Sequence, residues 1–436
     1  MNNFSEIELS SVLRSNLEKH GFVIPTPVQA EAIPPALLGR DVVATAQTGT
    51  GKTLAFVLPI LQALGQKPAS SVNASDTNAT GAKASGGKAP VSKGPGIKAL
   101  ILSPTRELAI QINEAFVQMA AGTGIKSSVV VGGMNEAAQL RSIRQGAQVV
   151  IATPGRLCDF LNRNLVRLAE VQQLVLDEAD RMLDMGFLPS IRLILSKVPA
   201  TRQTMFFSAT LEKSVAHLID TYLKKPVRIS IGSVTKPADD VTLNVYQVEQ
   251  DRKLGLLIHL LSEDHGSFLV FARTKHGTDR LADNLSRVGV KAARIHGNRS
   301  QSQRNQALTG FKDGKYRVLV ATDVAARGIH VDGISHVVNY DLPQAPEDFV
   351  HRVGRTGRAG ALGVASTFST RSEFGEIRKI EKALRVNLKR CEVASGVIQA
   401  VTAKAEAVQE PVWRERIAKK RTVRSFGPST SRRRAR

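Results

Sequence analysis

Asp177-Glu178-Ala179-Asp180 stands at the end of the apolar run Leu174-Val175-Leu176. Acidic residues at a strand end can hold a divalent cation and polarise a water molecule. Upstream, Ala46-Gln47-Thr48-Gly49-Thr50-Gly51-Lys52-Thr53 closes a second apolar run, Asp41-Val42-Val43-Ala44. Gly49 and Gly51 let backbone N–H groups close on anionic oxygens, and a following helix adds its positive N-terminal end. Lys52 is spaced to reach β- and γ-phosphates, and the Thr53 hydroxyl to ligate Mg²⁺. Asp177 would hold the same ion, directly or through water, and Glu178 would act as general base on the attacking water. Such chemistry is mostly positioning and charge neutralisation, so few side chains suffice. The two segments are the two halves of a nucleoside triphosphatase. The loop departs from the generic phosphate-loop pattern at Ala46, where that pattern has glycine.

Both segments need strands to hold them. Asp41–Ala44, Ala99–Leu102, Val129–Val131, Val149–Ile151, Leu174–Leu176 and Thr204–Phe207 are continuously apolar rather than alternating. Such runs indicate a parallel sheet covered on both faces. The pattern stops at 232–240, Gly-Ser-Val-Thr-Lys-Pro-Ala-Asp-Asp, which reads as a linker. A second series follows: Phe268–Phe271, Ala292–Ile295, Val318–Val320 and His336–Asn339. The fold class is therefore α/β, with two parallel-sheet domains in tandem. Residues 66–96 are rich in Ala, Ser, Gly, Lys and Asn and read as a flexible surface insertion. From Trp413 onward there are ten Lys or Arg against one Glu. That basic tail is either a nonspecific nucleic-acid anchor, the preferred reading, or a solvated solubility tail.

A length of 436 residues suits two domains of ordinary size plus a tail. A net charge of +22 calls for a polyanionic partner, nucleic acid or ribosome first and an anionic membrane surface second. The two cysteines, Cys158 and Cys391, form no Cys-x-x-Cys, which argues against a disulfide framework or zinc site and fits a reducing cytoplasm. Met1–Glu6 lacks a basic patch followed by an apolar stretch, so no signal peptide is expected. No apolar run approaches the roughly 18 residues that span a bilayer.

With these residues in view, the chain resembles the DEAD-box ATP-dependent RNA helicases of superfamily 2, from about Phe4 to Phe368. The wording Phe271-Ala272-Arg273-Thr274-Lys275-His276-Gly277 looks most like the bacterial RhlE-type group. The resemblance implies two tandem RecA-like domains. The N-terminal helicase ATP-binding domain would span 1–231, the linker 232–240, the C-terminal helicase domain 241–395 and the basic tail 396–436.

It also implies roles. Gly21–Gln29 resembles the adenine-sensing block, in which Thr26 and Gln29 would meet the base. A Gln amide presents a donor and an acceptor to the adenine edge. Phe4 is either a stacking platform for the base or a core contact of a terminal segment. Residues Ala46 to Thr53 would bind the ATP phosphates. Pro104, Thr105, Arg106, Gly133, Thr153, Pro154, Gly155 and Arg156 match RNA-contacting blocks, with groups suited to phosphate and sugar rather than base edges. Asp180, Ser208, Thr210 and His351 would couple hydrolysis to strand separation.

In the second domain, Arg273, Thr274, Gln301, Arg304, Thr322 and Arg327 would contact RNA. Asp323 is an organiser that also approaches ATP. Arg355 and Arg358 would be arginine fingers, catalytic together with Lys52 and Glu178. One departure stands out: the family continues Arg-Gly-x-Asp where this chain has Arg327-Gly328-Ile329-His330, with Asp332 as a nearby substitute. An imidazole at His330 supplies no carboxylate, so ATP affinity or domain closure is expected to weaken. The implied function is ATP-driven unwinding of short RNA duplexes or remodelling of RNA–protein complexes, with ATP and Mg²⁺ as cofactors. RNA is the implied partner, and ribosomal particles or RNA-decay machinery are candidate contexts in the cytoplasm. A DNA-directed helicase, a nonhydrolysing RNA clamp or annealing protein, and a membrane-associated NTPase are the alternatives.

Overall fold

The computed structural model describes residues 3–46, 50–65, 96–231, 240–326, 331, 333–357 and 362–392. Most of the 66–96 insertion, linker positions 232–239 and the basic tail lie outside the described residues. Among the site candidates so do Gln47, Thr48, Gly49, Arg327, His330 and Arg358. The chain divides into two compact units between residues 231 and 240.

The first unit carries β1 (Val42–Thr45), β2 (Ala99–Leu102), β3 (Ser127–Val130), β4 (Val149–Ala152), β5 (Gln173–Leu176), β6 (Gln203–Ser208) and β7 (Val227–Ser230). The second carries β8 (Val241–Gln247), β9 (Phe268–Phe271), β10 (Ala292–Ile295), β11 (Val318–Ala321), β12 (His336–Asn339), β13 (Gly363–Ser369) and β14 (Lys389–Cys391). Each set forms one seven-stranded sheet, in the orders β3-β4-β2-β5-β6-β1-β7 and β10-β11-β9-β12-β13-β8-β14. All pairings are parallel. Adding seven to each strand number of the first order yields the second, so the two units share one topology.

Strands β2, β4, β9 and β11 are apolar and buried at every position because both faces are covered. In β6, Phe206 packs into one core layer and Phe207 into the other. In β2, Leu100 and Leu102 face the first of these layers and Ile101 the second. The helix Lys52–Gly65 is buried almost all round, from Leu54 to Leu61. This matches a helix sandwiched between sheet and neighbouring helices rather than one lying on the surface.

Four strands escaped the apolar-run reading: β7, β8, β13 and β14. Strands β7 and β14 are sheet edges. Val227–Ser230 alternates in exposure, and Lys389 and Arg390 face solvent. Strand β8 lies next to an edge and alternates Val and Leu with Thr, Asn and Gln, while β13 is built of small residues, Gly-Val-Ala-Ser-Thr-Phe-Ser. Among the described residues, no helix is long and apolar enough to cross a membrane. Cys158 and Cys391 are free thiols.

Asp41 locks the amino-terminal edge of the first sheet. It is buried, and its Oδ1 accepts the Thr204 N–H at 2.7 Å while its Oδ2 accepts the Lys224 N–H at 2.7 Å. Asp41→Ala orphans both amides. The expected loss is about 1–3 kcal/mol for each unsatisfied group. Chemical denaturation of the full chain, with hydrogen exchange at Thr204 and Lys224, measures it.

Candidate functional site

Strand order sorts the chemistry of the first unit. In a parallel sheet every following loop emerges at the same edge. Strands β5, β6 and β1 are neighbours, so their loops bring Asp177–Asp180, Ser208–Thr210 and Ala46–Thr53 together. The Ala46 N–H donates to the Ser208 carbonyl at 3.0 Å. Lys52 heads its helix, is buried, and donates from Nζ to the Ala46 carbonyl at 3.0 Å. Thr53 and Thr50 are half-buried beside it.

Gln29 is buried and bridges two segments. Its Oε1 accepts the Thr26 N–H at 2.9 Å, and its Nε2 donates to the Gly51 carbonyl at 2.8 Å. The amide thus ties the adenine-sensing block to the phosphate loop and keeps one donor and one acceptor site in reserve. Gly51 has φ +84°, and a Cβ there would stand 2.6 Å from the Gln29 Nε2. Only glycine meets both demands. Phe4 lies in the core at 4% exposure, the place the core-contact alternative requires.

The acidic segment is crowded and dry. Asp177 is pushed up to about 7 by burial; Lys52 opposes the shift and Glu178 and Asp180 add to it. Its Oδ1 accepts the Glu178 N–H at 3.0 Å. Glu178 adopts a left-handed backbone, φ 49°, and its Oε2 pairs with the buried Arg181 guanidinium at 2.5 Å. Arg181 had no role in the sequence reading, though its i,i+3 spacing from Glu178 was available. The Oδ2 of Asp180 accepts the Ala209 N–H at 2.9 Å, the Thr210 N–H at 2.9 Å and the Thr210 hydroxyl at 3.3 Å. The Ser208 Oγ accepts the Asp180 N–H at 3.3 Å. Contact between these blocks is carried by backbone amides as much as by the hydroxyls that the sequence brought forward.

The other half of this sheet, β3-β4-β2, gathers the remaining blocks of the first unit. Thr105 caps the helix Arg106–Ala120, its hydroxyl accepting the Leu108 N–H at 3.3 Å. Arg106 lies against the Gly132-Gly133 backbone, where a Cβ on Gly133 would collide with the guanidinium. Gly133 has φ +74°, so glycine serves two purposes there. Gln139, which sequence reasoning passed over, clamps that turn by exchanging hydrogen bonds with Val131 N–H and C=O, both at 3.0 Å. Pro104, Thr153 and Pro154 are buried and Gly155 is exposed. Arg156 is bound internally: Nη1 reaches Asp159 at 3.0 Å and Glu136 at 3.3 Å, and the guanidinium lies 5.1 Å from the Phe160 ring centre. Its charge therefore orders the Thr153–Arg156 turn.

In the second sheet β10-β11-β9 are neighbours, which brings Gln301, Arg304, Thr322, Asp323, Arg273 and Thr274 to one edge. Thr274 caps its helix through the Gly277 N–H at 2.9 Å. Gln301 bonds Asn305 from Nε2 at 3.0 Å, and both Gln301 and Arg304 are buried. Thr322 is buried, with its carbonyl accepting the Ala325 and Ala326 N–H groups. Asp323 is gripped by Arg352, whose Nε and Nη2 reach the two carboxylate oxygens at 2.5 and 2.7 Å. Arg352 also donates from Nη1 to Asn339 at 3.2 Å and to the Asp341 carbonyl at 2.6 Å. Both carboxylate oxygens of Asp323 are thereby held in one orientation. Its partner Arg352 sat unremarked among the arginines of residues 351–358. His351 is half-buried, and its carbonyl accepts the Nε–H of the buried Arg355 at 3.2 Å.

Comparison with known proteins follows this geometry. Residues 26–218 match the family described as DEAD/DEAH box helicase, and residues 252–360 match the helicase conserved C-terminal domain. The chain is 38% identical over 355 residues to a DEAD-box ATP-dependent RNA helicase CshA of Geobacillus kaustophilus, covering 81% of this chain and 70% of the relative. With the CshA of Listeria monocytogenes identity is 37% over 429 residues, 97% of this chain and 77% of the relative. With that of Streptococcus pneumoniae it is 39% over 352 residues, 80% of this chain, and the match spans 62% of the relative's length. Among solved structures, S. cerevisiae Dbp5 bound to RNA and ADP BeF3 aligns with a TM-score of 0.76 at 28% identity, covering 94% of this chain and 100% of that one. Mss116p bound to ssRNA and AMP-PNP aligns with a TM-score of 0.77 at 27% identity, covering 91% and 80%. Both family models are matched in order, and a relative at 38% identity is covered over 70% of its length, so the chain belongs to the DEAD-box ATP-dependent RNA helicase family.

Proposed function

We propose that this protein is an RNA-stimulated ATPase that separates short RNA duplexes or remodels RNA–protein complexes. The observation that carries the reading is Asp180. One carboxylate oxygen joins the segment with the hydrolytic carboxylates to Ala209 and Thr210, beside the phosphate-loop strand. A change at the nucleotide is thereby tied to the backbone of the neighbouring strand end.

Lys52 and the backbone of the loop bind the phosphates. Gln29 and Thr26 recognise the base while Gln29 holds Gly51. Glu178, kept in place by Arg181, orients the attacking water and accepts its proton. Arg355 and Arg358 supply positive charge to the transferred phosphoryl group. Binding of ATP and of RNA is then mutually reinforcing, by thermodynamic linkage. Phosphate- and sugar-directed groups at the loops after β2, β3, β4, β9, β10 and β11 make RNA binding largely independent of sequence.

The residues present fit a magnesium ion. Asp177 is a buried carboxylate crowded by Glu178 and Asp180, which a cation relieves. Among the described residues, no group of three or more His, Cys, Asp or Glu side chains could hold a metal alone. Mg²⁺ keeps several waters and binds few protein oxygens beside phosphates, so Asp177 and Thr53 would suffice to hold it here. Bound there, the ion would neutralise phosphate charge. The same reading puts the protein in the cytoplasm, with ribosomal particles or RNA-decay machinery as its contexts and RNA affinity that falls as salt rises.

Steady-state ATP hydrolysis tests the proposal, with no nucleic acid, single-stranded RNA or matched DNA. RNA alone is expected to stimulate, and Glu178→Gln to lower the stimulated rate by about 10²–10⁴-fold. Equal stimulation by DNA would make the protein a general nucleic-acid helicase, and no rate above the variant would make it a clamp. The Mg²⁺ concentration for half-maximal rate is expected to rise as pH falls below about 7 and to be level above it, because protons compete for Asp177. Gly51→Ala is expected to raise the KM for ATP roughly tenfold or more, from strain and the displaced Gln29 amide.

A further inference from the structure

The two units share a topology, and the second repeats a charge pair of the nucleotide site. Lys52 heads the helix after β1; Lys253 heads the helix Lys253–Glu263 after β8, the equivalent strand. Asp177 follows β5, and its N–H donates to the carbonyl of Leu102, the last residue of β2. Asp341 follows β12, the equivalent of β5, and its N–H donates to the carbonyl of Phe271, the last residue of β9. The loop before Lys253, Val248-Glu249-Gln250-Asp251-Arg252, has no glycine and two acids. It cannot cradle a phosphate.

An internal arginine stands over this pair instead. The Lys253 side chain is fully buried, and Nζ has no hydrogen-bond partner among the described residues. It lies 3.9 Å from the Asp341 Oδ1, 3.7 Å from the Glu373 Oε2 and 6.0 Å from the Tyr340 ring centre. The outer oxygens of the same carboxylates face Arg273. The Asp341 Oδ2 accepts the Arg273 N–H at 2.8 Å, and the Glu373 Oε1 is 3.5 Å from its Nη2. The Arg273 side chain remains 51% exposed. Burial raises the Glu373 carboxyl, but the Thr370 N–H and the Lys253 charge outweigh it and hold it below its usual range.

We infer that Lys253 is a positioning residue: it neutralises Asp341 and Glu373 from inside, so that the Arg273 guanidinium stays available to an RNA phosphate. The inference rests on the RNA reading above. Without Lys253, Arg273 is the remaining cation beside the Glu373 carboxylate. The guanidinium would close on Glu373 as a bidentate pair and be lost to RNA.

The experiment is RNA-stimulated ATP hydrolysis by the full chain, titrated with single-stranded RNA. The variants are Lys253→Met, Lys253→Arg, Glu373→Gln, the Lys253→Met/Glu373→Gln double, and Arg273→Ala in the native and Lys253→Met backgrounds. Lys253→Met should raise the RNA concentration for half-maximal stimulation about tenfold while the maximal rate stays near native. Lys253→Arg, or adding Glu373→Gln, should restore most of the loss. Arg273→Ala should cost about tenfold in the native background and little on top of Lys253→Met. An equal cost in both backgrounds would overturn the inference, as would an unchanged half-saturation in Lys253→Met. Should Lys253→Met fail to fold, judged by thermal melting, Glu373→Gln alone decides: RNA affinity equal to or above native upholds the inference, and a loss overturns it. Native hydrolysis that ignores RNA would instead remove the RNA reading itself, before any variant is read.

Discussion

A parallel sheet delivers every loop that follows a strand to one edge, and everything chemical in this chain depends on that constraint. The strand order then decides which loops are neighbours. Because β6 separates β5 from β1, the backbone of Ser208–Thr210 stands between the hydrolytic carboxylates and the phosphate loop. Asp180 uses that adjacency, and so does the Ala46 N–H bonded to Ser208. The other half of the same edge is left to Arg106, Gly133 and the Thr153–Arg156 turn. The two sets of loops are sorted by topology before any side chain is chosen.

Buried charge is the second theme. A charge removed from water must be paired or it costs several kcal/mol, roughly. Each unit answers with short-range pairs at its loop edge: Arg181 on Glu178 in the first, Arg352 on Asp323 and Lys253 beneath Asp341 in the second. These pairs hold the reactive or ligand-facing groups at fixed positions. Arg352 ties two segments to its own helix, since Asp323 after β11 and Asn339 and the Asp341 carbonyl at the end of β12 meet its guanidinium. Asp341 in turn holds the Arg273 N–H. A contiguous set of contacts therefore runs from the loop after β9 through that after β12 to that after β11.

Much of this was legible in the residues. Ten strands are the apolar runs that the sequence displays, because burial on both faces demands apolar side chains at every position. The loop residues Lys52, Asp177 and Glu178 were recognisable because phosphate and metal chemistry restricts residue type and spacing. Strands β7, β8, β13 and β14 were not, since edge positions and small residues erase the apolar signal. Arg181, Gln139, Arg352 and Lys253 were missed for a related reason. A polar residue that holds another in place has no spacing signature of its own, and its partner can lie far along the chain.

The sequence by itself determined the class of fold, because strands buried on both faces must be written in continuous apolar runs. Tertiary structure decided what each group is bonded to. Arg156, read as an RNA contact, is held by Glu136 and Asp159. Gln29, read as a base sensor, also fastens Gly51, and Phe4 is packed in the core. Tertiary structure alone also revealed that Lys253 and Asp341 follow the strands equivalent to those before Lys52 and Asp177, because that likeness lies in strand order and backbone hydrogen bonds rather than in any shared motif.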